Sequence, residues 1–212
     1  MPLIPILVLL TLIVIALLFV LRQLKTENKE LKRQVAEDRE FLQQLRTNDP
    51  LTQVMARQQF MPLIEQEFQR AKRNRQPLSL ISCSVDHLHQ YQRDYGNFMA
   101  DESLYAIAQT IDGAVKRAGE CVGRMGWERF WILLPNVPED KAIALAEIIQ
   151  EKVHALGIPY ENSPITSKLT ISMGIVSFIP SAEEELTVWT RSVEIAMEKA
   201  KEEGGDRWHV AT

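Results

Sequence analysis

A run of 20 residues without a charged side chain, Pro2 to Leu21, constrains this chain more than any other feature. Apart from Pro2, Pro5 and Thr11, its side chains are apolar. A helix rises about 1.5 Å per residue, so such a run spans roughly 30 Å, the thickness of the hydrocarbon core of a bilayer. The sequence therefore predicts a single transmembrane anchor over residues 1–21.

The charges that flank this run predict its orientation. The basic residues that lie near it all follow it and none precedes it: Arg22, Lys25, Lys29, Lys32 and Arg33. Positive residues beside a span stay on the cytoplasmic side, so we expect the bulk of the chain in the cytoplasm. A cleaved signal peptide is the alternative. It normally has basic residues before the apolar run and a small-residue cleavage site after it, and this sequence has neither.

Residues 22–47 are expected to form a coiled-coil helix. The segment up to Arg46 has no Pro or Gly and is rich in Glu, Lys, Arg and Gln. Asn28 and Asp38 are the polar exceptions among the alternating a and d heptad positions, which otherwise hold Leu21, Leu24, Leu31, Val35, Leu42 and Leu45. A buried Asn commonly fixes the register and favours two strands, so a parallel homodimer is expected. A lone helix with solvated faces is the alternative.

Residues 48–212 are predicted to form one folded domain, which begins after the helix-breaking residues 47–50. Apolar residues at helical spacing mark four helices, which pass through Ile64, Ile107, Ile149 and Val193. Strands are predicted at 78–85, 168–178 and 208–210, with a hairpin between the second and third helices. This order predicts an α/β (α+β) fold with a central mixed β-sheet flanked by helices.

The composition narrows the range of partners. The formal net charge of -4 gives no general attraction to nucleic acid, and the basic run from Arg70 to Arg75 has no interleaved aromatic residues. We therefore expect no nucleic-acid partner. Cys83 and Cys121 are the only two cysteines and do not make a disulfide framework, so a reducing compartment fits the domain.

A hairpin signature lies in the middle of the domain. Residues 124–130 read Arg-Met-Gly-Trp-Glu-Arg-Phe, and an apolar run up to Pro135 follows. This pattern predicts two short strands joined by a tight turn at Gly126-Trp127. The stretch resembles the hairpin of diguanylate cyclases, the GGDEF domains, in which the turn reads Gly-Gly-Asp/Glu-Glu-Phe. Trp127 stands at the second Gly of that motif and Arg129 at its second carboxylate.

Other fragments are similar to the same family and occur in the same order. They are Asp49-Pro50-Leu51-Thr52, Val85-Asp86-His87, Tyr95-Gly96, Leu133-Leu134-Pro135, Thr170-Ile171-Ser172-Met173-Gly174-Ile175 and Ala200-Lys201-Glu202-Glu203-Gly204. The resemblance covers Asp49 to Thr212. It implies the family fold, a sheet wrapped by helices and related to nucleotide cyclase domains. It also implies a bacterial protein of cyclic di-GMP signalling, so the expected membrane is the inner, cytoplasmic membrane.

The resemblance places the metal chemistry of the family at Ser84, Glu128 and Arg129. In the family these positions are carboxylates that hold magnesium against a GTP triphosphate, and magnesium prefers hard oxygen ligands. The formal charge of the three positions changes from -3 to 0, counting Ser84 as 0, Glu128 as -1 and Arg129 as +1. We expect no intact catalytic or metal site, with Glu128 as at most one ligand. No cofactor is expected, and Mg²⁺ only if residual GTP binding persists.

The resemblance also places weak nucleotide-binding candidates at Gln92, Asp101 and Lys201. The Asn that reads guanine aligns with Gln92, its paired Asp aligns with Asp101, and the phosphate-contacting Lys aligns with Lys201. A second basic residue of the family is replaced by Gly205. The surviving residues have structural alternatives: Asp101 as a helix cap, Lys201 as a solvated lysine and Glu128 as an exposed turn residue.

The sequence offers two further candidate sites, the first of them implied by the resemblance. Residues 117–120 match the spacing of the Arg-x-x-Asp inhibitory site of the family, so Arg117 and Glu120 are candidates for binding cyclic di-GMP. An ordinary charged pair at a helix end is the alternative. Trp127 and Arg129 are expected to be exposed at the hairpin turn. Both residue types are frequent at protein interfaces, so this tip is a candidate contact for an unidentified protein partner.

The function predicted from these features is that of a catalytically degenerate GGDEF-domain membrane protein. It is expected to act as a regulatory or protein-interaction module and as a homodimer. A cyclic di-GMP receptor that uses Arg117 and Glu120 is one alternative. Weak GTP binding or residual diguanylate cyclase activity through Glu128, Asp101 and Lys201 is the other.

Overall fold

A computed structural model describes residues 22, 23, 25, 29, 32, 33, 47–115, 117–181 and 183–211. The chain divides into two units, Met1–Arg46 and Thr47–Thr212. The six described residues of the first unit are helical and exposed. The predicted anchor at 1–21 and the apolar seam of the predicted coiled coil lie outside the described residues. No helix in the described part of the chain has both the length and the apolarity to cross a membrane.

The second unit alternates strands and helices around one hairpin. Its elements are β1 (Met55–Ala56), α1 (Arg57–Asn74), β2 (Leu78–Val85), α2 (Leu88–Asp112), β3 (Cys121–Arg124), β4 (Arg129–Pro135), α3 (Glu139–Leu156), β5 (Ile171–Phe178), α4 (Leu186–Glu202) and β6 (Trp208–Val210). The six strands form one sheet in the order β1-β3-β4-β2-β5-β6. The two outer pairs are parallel and the inner pairs antiparallel, so the sheet is mixed, as predicted.

Both faces of this sheet are covered by helices, which is why every residue of β2 is buried. Ile81, Cys83 and Val85 point to a core shared with α2 and α3. Leu78 and Leu80 point to a second core shared with α1 and α4. The central strand therefore contributes to both cores, and its carboxyl end delivers residues 84–86 to the hairpin.

Helix α4 lies unusually close to the sheet at Gly174 of β5. A Cβ atom added to Gly174 would lie 2.2 Å from the carbonyl oxygen of Val193 and 2.4 Å from the amide nitrogen of Met197. Only glycine leaves room for a helix backbone at this distance. The close approach fixes the height of α4 above the sheet, and α4 carries three of the charged side chains of the candidate site.

Most predicted elements are found where the sequence places them. The strands at 78–85 and 208–210 have the predicted bounds. The strand predicted at 168–178 begins at Ile171, and Lys168 makes only an isolated bridge to Pro159. Helix α2 begins at Leu88, earlier than predicted, and is interrupted at Gly96, which has a φ of 85°.

Candidate functional site

Arg124 at the end of β3 holds the hairpin turn in place. Its Nε donates to the carbonyl of Gly126 at 3.1 Å and its Nη2 to the carbonyl of Trp127 at 2.9 Å. Its Nη1 lies 2.8 Å from Oδ1 of Asp49, which precedes β1. Burial alone would raise the pKa of Asp49, but hydrogen bonds from Thr52 and Arg124 outweigh it and hold the pKa below its ordinary value. The turn is therefore anchored to the start of the domain.

Glu128, the carboxylate retained in the turn, is bound within the domain. Its Oε1 accepts a hydrogen bond from Oγ of Ser84 at 3.1 Å and lies 2.8 Å from Nζ of Lys201 on α4. Ser84 is fully buried, and the side chains of Glu128 and Lys201 are 18% and 24% exposed. The interpretations of Glu128 as an exposed turn residue and of Lys201 as a solvated lysine are therefore wrong.

Arg129 turns away from Glu128 and towards α4. Its guanidinium lies 2.6 Å from Oε2 of Glu194 and 3.1 Å from Oε1 of Glu198. The other oxygen of Glu194, Oε1, accepts hydrogen bonds from Nε1 of Trp131 at 2.5 Å and from Oγ of Ser82 at 2.8 Å. The arginine that replaces a carboxylate thus ties the first residue of β4 to the adjacent helix.

Trp127 packs its indole ring over the imidazole of His89, the second residue of α2. The two ring centroids are 4.2 Å apart and the planes are inclined by 28°. Trp127 is half-buried and also packs against the core. The expectation of an exposed Trp127 is wrong, because its ring is half-buried and stacked on His89. The side chain of Arg129 is 40% exposed, but its guanidinium has partners within the domain. A protein contact at this tip stays a prediction.

A cleft of about 330 Å³ lies beside Glu128, between the end of β2 and α4. Its lining includes Asp86, His89, Arg93, Glu128, Lys201 and Gly205. Asp86 is 4% exposed, and its carboxylate accepts hydrogen bonds from the hydroxyls of Thr170 and Ser172, both at 2.7 Å, and from the amide of Asp206 at 3.1 Å. Asp86 therefore holds the β2–α2 corner to β5.

Gln92 and Asp101 are half-buried on α2 and are not among the residues that line this cleft. Asp101 lies inside the helical segment that follows Gly96, several residues after the break, so the helix-cap interpretation does not describe it. Of the candidates taken from the resemblance, the fold brings Ser84, Glu128 and Lys201 together. Arg129 lies beside them but points to Glu194 and Glu198.

The donor set does not fit the magnesium that the resemblance implies. The only carboxylate among Ser84, Glu128 and Arg129 already contacts an ammonium group and a hydroxyl. Across residues 47–115, 117–181 and 183–211, no group of three or more His, Cys, Asp or Glu side chains is arranged to hold a metal ion. Hard oxygen ligands of the kind that Mg²⁺ requires are therefore not assembled at the hairpin.

Arg117 and Glu120 line a second cleft of about 190 Å³, together with Lys141 and apolar residues that include Leu145 and Ile148. The carboxylate of Glu120 accepts a hydrogen bond from the backbone amide of Arg117 at 3.1 Å, and the amide of Glu120 donates to the carbonyl of Arg117 at 3.1 Å. Glu120 therefore stabilises the turn formed by residues 117–120. The side chain of Arg117 is exposed.

Glu194 and Glu198 take part in the site and were not foreseen from the sequence. Glu194 and Glu198 are four residues apart on α4, so both face the same neighbour. Two glutamates at this spacing indicate in the sequence that a cationic side chain could bind between them. That the cation is Arg129 follows only from the packing of α4 beside β4.

Comparison with known proteins identifies the family of the domain. A family model described as diguanylate cyclase, GGDEF domain, matches residues 46–207. The chain belongs to the GGDEF family. The chain is 27% identical over 177 residues to the probable diguanylate cyclase DgcC of Escherichia coli K12. The aligned residues make up 84% of this chain and 46% of DgcC. The chain is 32% identical over 173 residues to a diguanylate cyclase of Vibrio cholerae, covering 82% of this chain and 52% of that protein.

Solved GGDEF structures share the fold of this GGDEF domain. The GGDEF domain of DgcB from Caulobacter crescentus, in complex with c-di-GMP, matches with a TM-score of 0.70 at 19% identity, over 78% of this chain and 95% of that one. Diguanylate cyclase SiaD from Pseudomonas aeruginosa, in complex with its activator SiaC, matches with a TM-score of 0.70 at 23% identity. That match covers 90% of this chain and 73% of the SiaD chain. The chain spans about half the length of the two cyclase relatives, DgcC and the Vibrio cholerae protein.

Proposed function

We propose that the GGDEF domain of this chain is a regulatory, protein-binding module that does not synthesise cyclic di-GMP. The distance of 2.8 Å between Nζ of Lys201 and Oε1 of Glu128 carries this proposal. The ammonium group of Lys201 neutralises the charge of Glu128, the one carboxylate retained at the hairpin. A metal ion at Glu128 would have to displace that ammonium and the hydroxyl of Ser84, with no second carboxylate from Ser84 or Arg129 to replace them.

The residues on either side of Glu128 also argue against binding of GTP with Mg²⁺. Arg129 supplies no oxygen ligand where the family has a carboxylate, and its guanidinium is paired with Glu194 and Glu198. The indole of Trp127 stands where the family has glycine, the residue that lets a ligand approach the backbone. It is stacked on His89, which lines the cleft. GTP with its magnesium would meet a cleft in which Lys201 already neutralises the charge of Glu128.

The protein-binding part of the proposal has support from a relative. SiaD, a diguanylate cyclase, was solved with its activator SiaC, so a chain with this fold can bind a regulatory protein. In our proposal the domain of this chain binds a protein and does not catalyse. Trp127 with its stacked His89 is the part of the hairpin tip that a partner would contact.

The test is isothermal titration calorimetry of the full chain in detergent micelles, with GTP and Mg²⁺, together with a chromatographic assay for cyclic di-GMP. We expect no cyclic di-GMP and no Mg²⁺-dependent binding of GTP. Magnesium-dependent binding in the micromolar range, or turnover, would overturn the proposal and support the residual-activity alternative.

A variant with the family residues restored is the matched control. In S84D/W127G/R129E, two carboxylates join Glu128 and the indole is removed. Three carboxylates supply the oxygen ligands that Mg²⁺ requires, so we expect Mg²⁺ to bind this variant measurably more tightly than the parent chain. Equal Mg²⁺ affinity in the two chains would show that the loss does not lie at these positions.

A cyclic di-GMP receptor is the second candidate, favoured by the cleft in which Arg117, Glu120 and Lys141 meet. Arg117 is exposed and offers a bidentate donor for a phosphate or a guanine edge. Glu120 is already bonded to the backbone of Arg117, which reduces what it offers to a ligand. Titration with cyclic di-GMP tests this: binding that R117A abolishes and that K152A, at an exposed lysine of α3, leaves intact would establish the receptor.

We also propose that residues 1–21 anchor the protein in the bacterial inner membrane, with the GGDEF domain in the cytoplasm, and that residues 22–47 pair two copies. The basic residues that follow the apolar run support this orientation. Resistance to alkaline extraction of membranes, together with digestion of the domain only after the inner membrane is opened, is the expected result. Release of the chain at alkaline pH would contradict the anchor.

A further inference from the structure

An exposed apolar stripe lies on the second half of α2, after the break at Gly96. Phe98 is 73% exposed, and Tyr105, seven residues further along the helix, is 42% exposed. Seven residues make just under two helical turns, so the two rings lie on the same side, about 10 Å apart along the axis. The opposite side of this segment is buried through Leu104 and Ile107. The stripe is therefore apolar surface that the packing of α2 leaves in contact with solvent.

The side chains of this stripe belong to types that are enriched at the centres of protein interfaces, namely Phe, Tyr and Met. Met99, which is 42% exposed, widens the stripe beside Phe98. Phe98 and Tyr105 are the only aromatic residues among the large apolar side chains that the described part of the chain exposes. An aromatic side chain buries about 150–250 Å² when it is covered, so the two rings give this surface two strong anchors for a partner.

The charges of the segment that carries the stripe have one sign. Residues 94–112 contain no Lys, Arg or His and have a formal charge of -4, counting -1 for each of Asp94, Asp101, Glu102 and Asp112. Glu102 is exposed and lies on the stripe itself, between the two rings. Among the described residues, no ion pair joins any of the four carboxylates to a cation. The neighbouring loop adds exposed Glu161, whose amide lies 3.1 Å from the hydroxyl oxygen of Tyr95.

This negative charge decides which class of partner the stripe fits. A second copy of the chain, binding through the same face, would bring carboxylates against carboxylates, and like charges across an interface lower affinity. Nucleic acid and anionic lipid headgroups would meet the same repulsion. The nearest basic residues along the chain, Arg93 and Lys116, lie outside the segment, and Arg93 lines the cleft beside Glu128. A protein segment with Lys or Arg beside its apolar residues gains from both the rings and the carboxylates.

The spacing of the stripe selects a helix as the conformation of that segment. Phe98, Glu102 and Tyr105 follow one another at intervals of four and three residues, the spacing at which side chains of one helix pack between those of a second helix. An extended segment would instead bind through backbone hydrogen bonds to a sheet edge, and the exposed side of a helix has no free backbone groups to offer. We therefore expect apolar residues of the partner at i, i+3 or i+4, and i+7, flanked by Lys or Arg.

We propose that the exposed side of α2 from Phe98 to Tyr105 binds a cationic amphipathic helix of a partner protein. Apolar residues of that helix cover the two rings and Met99, and its Lys or Arg side chains pair with Glu102 and with Asp101 at the edge of the stripe. The inference rests on the protein-binding function proposed above and supplies it with a surface and a class of partner. Neither ring lines the cleft beside the hairpin turn, so this surface is separate from that cleft.

Photo-cross-linking of the full chain, in cells of the organism that encodes it, tests this surface. The photoreactive amino acid p-benzoylphenylalanine replaces Phe98 or Tyr105 or, as the control, Ile148, which is exposed on α3. Mass spectrometry then identifies the cross-linked segment. We expect positions 98 and 105 to label one protein several-fold more strongly than position 148 does, within a segment that has apolar residues at helical spacing and is rich in Lys and Arg. The test uses no nucleotide, so its failure is distinct from Mg²⁺-dependent binding of GTP, which would overturn the proposed function.

The positions of the two adducts in the partner report its conformation. Side chains 98 and 105 are about 10 Å apart along α2, so a helix packed at a shallow angle receives the adducts about seven residues apart. An extended segment rises about 3.3 Å per residue and receives them about three residues apart. The shorter spacing, a segment without Lys or Arg, adducts to lipid or to a second copy of this chain, or yields no higher than at position 148 would overturn the proposal.

Charge reversal provides an independent readout in isolated membranes. E102K places an ammonium group between the two rings, so we expect the yield of adducts from position 98 to fall several-fold at low salt. The fall should shrink at high salt, because exposed charges are screened. E147K is the matched control, since Glu147 is an exposed glutamate of α3 and its replacement changes the net charge by the same amount. Equal yields for E102K and E147K would contradict the role of the negative charge.

Discussion

Nζ of Lys201 lies 2.8 Å from Oε1 of Glu128, although 73 positions separate the two residues in the chain. Lys201 is in the last turn of α4 and Glu128 is in the hairpin turn. Their pairing neutralises the negative charge of the carboxylate in the hairpin turn. Arg129, the next residue, forms a second bridge from the hairpin to α4 through Glu194 and Glu198. The hairpin of this GGDEF domain is thus held by ion pairs to the adjacent helix.

Replacement of Arg129 should destabilise the domain. In R129A the carboxylate of Glu194 keeps Ser82 and Trp131 as donors but loses its only salt-bridge partner among the described residues. Because Arg129 is 40% exposed, we expect a loss of about 1 kcal/mol in the free energy of unfolding rather than the larger cost of a buried pair. Urea unfolding measures it. R73A, at an exposed arginine of α1, is the control, and equal effects of the two substitutions would contradict the role of the bridge.

Gly174 and Gly126 should differ sharply in their tolerance of alanine. The Cβ atom of G174A would lie 2.2 Å from a backbone oxygen of α4, so the helix would have to move away from β5. We expect a loss of at least about 2 kcal/mol in the free energy of unfolding. Gly126, the first glycine of the hairpin, has no atom within 4 Å of its added Cβ, so G126A should be close to neutral. Thermal unfolding of both variants decides, and a tolerated G174A would refute the close approach.

Asp49 should contribute to stability only above acidic pH. Its pKa in the folded domain is lowered from the ordinary value of 3.8, so the unfolded chain takes up this proton at a higher pH than the folded chain does. The stabilisation is complete above pH 3.8 and is lost as the pH falls through the folded-state pKa. We expect D49N to be less stable than the parent chain at pH 7 by about 1 kcal/mol.

The pH dependence of that difference is the discriminating measurement. The gap between D49N and the parent chain should narrow as the pH falls below about 4, the ordinary aspartate pKa, because the protonated carboxyl group of Asp49 is then as uncharged as the amide introduced by D49N. Urea unfolding at several pH values shows the trend. A gap that stays constant down to about pH 3, below the ordinary aspartate pKa, would show that the contribution of Asp49 does not depend on its charge.

Both native cysteines should react slowly with maleimide at neutral pH. Burial raises the pKa of Cys121 to about 12, with Glu67 and Asp112 adding to the shift. Burial also raises the pKa of fully buried Cys83. The thiolate is the reactive form, so the native cysteines of the folded chain should be labelled at least about 100-fold more slowly than a cysteine introduced at exposed Ile148 of α3 (I148C), with Cys121 reacting before Cys83. Labelling at the rate of I148C would contradict the burial of these thiols.

Local patterns in the sequence were sufficient to predict most of the helices and strands of the domain. Strands such as Leu78–Val85 are short apolar runs, and helices such as Leu186–Glu202 show apolar residues at helical spacing, so each could be placed without knowing its neighbours. The break at Gly96 and the two-residue strand Met55–Ala56 could not be placed in this way. The first depends on a positive φ and the second on pairing with residues 123 and 124.

For the candidate site, the sequence revealed which residues are present but not which residues they contact. The identities of Ser84, Glu128, Arg129 and Lys201 were readable as departures from and matches to the GGDEF pattern, because each lies in a short segment with a recognisable motif. Their interactions were not readable. Arg129 was expected at an exposed turn, and the fold instead gives it Glu194 and Glu198 as partners.

The sequence by itself determined the family, most of the order of strands and helices, and the presence of Ser84 and Arg129 where the GGDEF pattern has carboxylates, since each is a property of short segments. The tertiary structure decided which residues contact the side chains at these positions. Lys201 reaches Glu128, Arg129 reaches Glu194, and Trp127 lies on His89 only because Gly174 lets α4 settle close to β5 and β2 ends beside the hairpin. Charges and rings separated by tens of residues interact through space, and only the packing of the sheet and helices sets those distances.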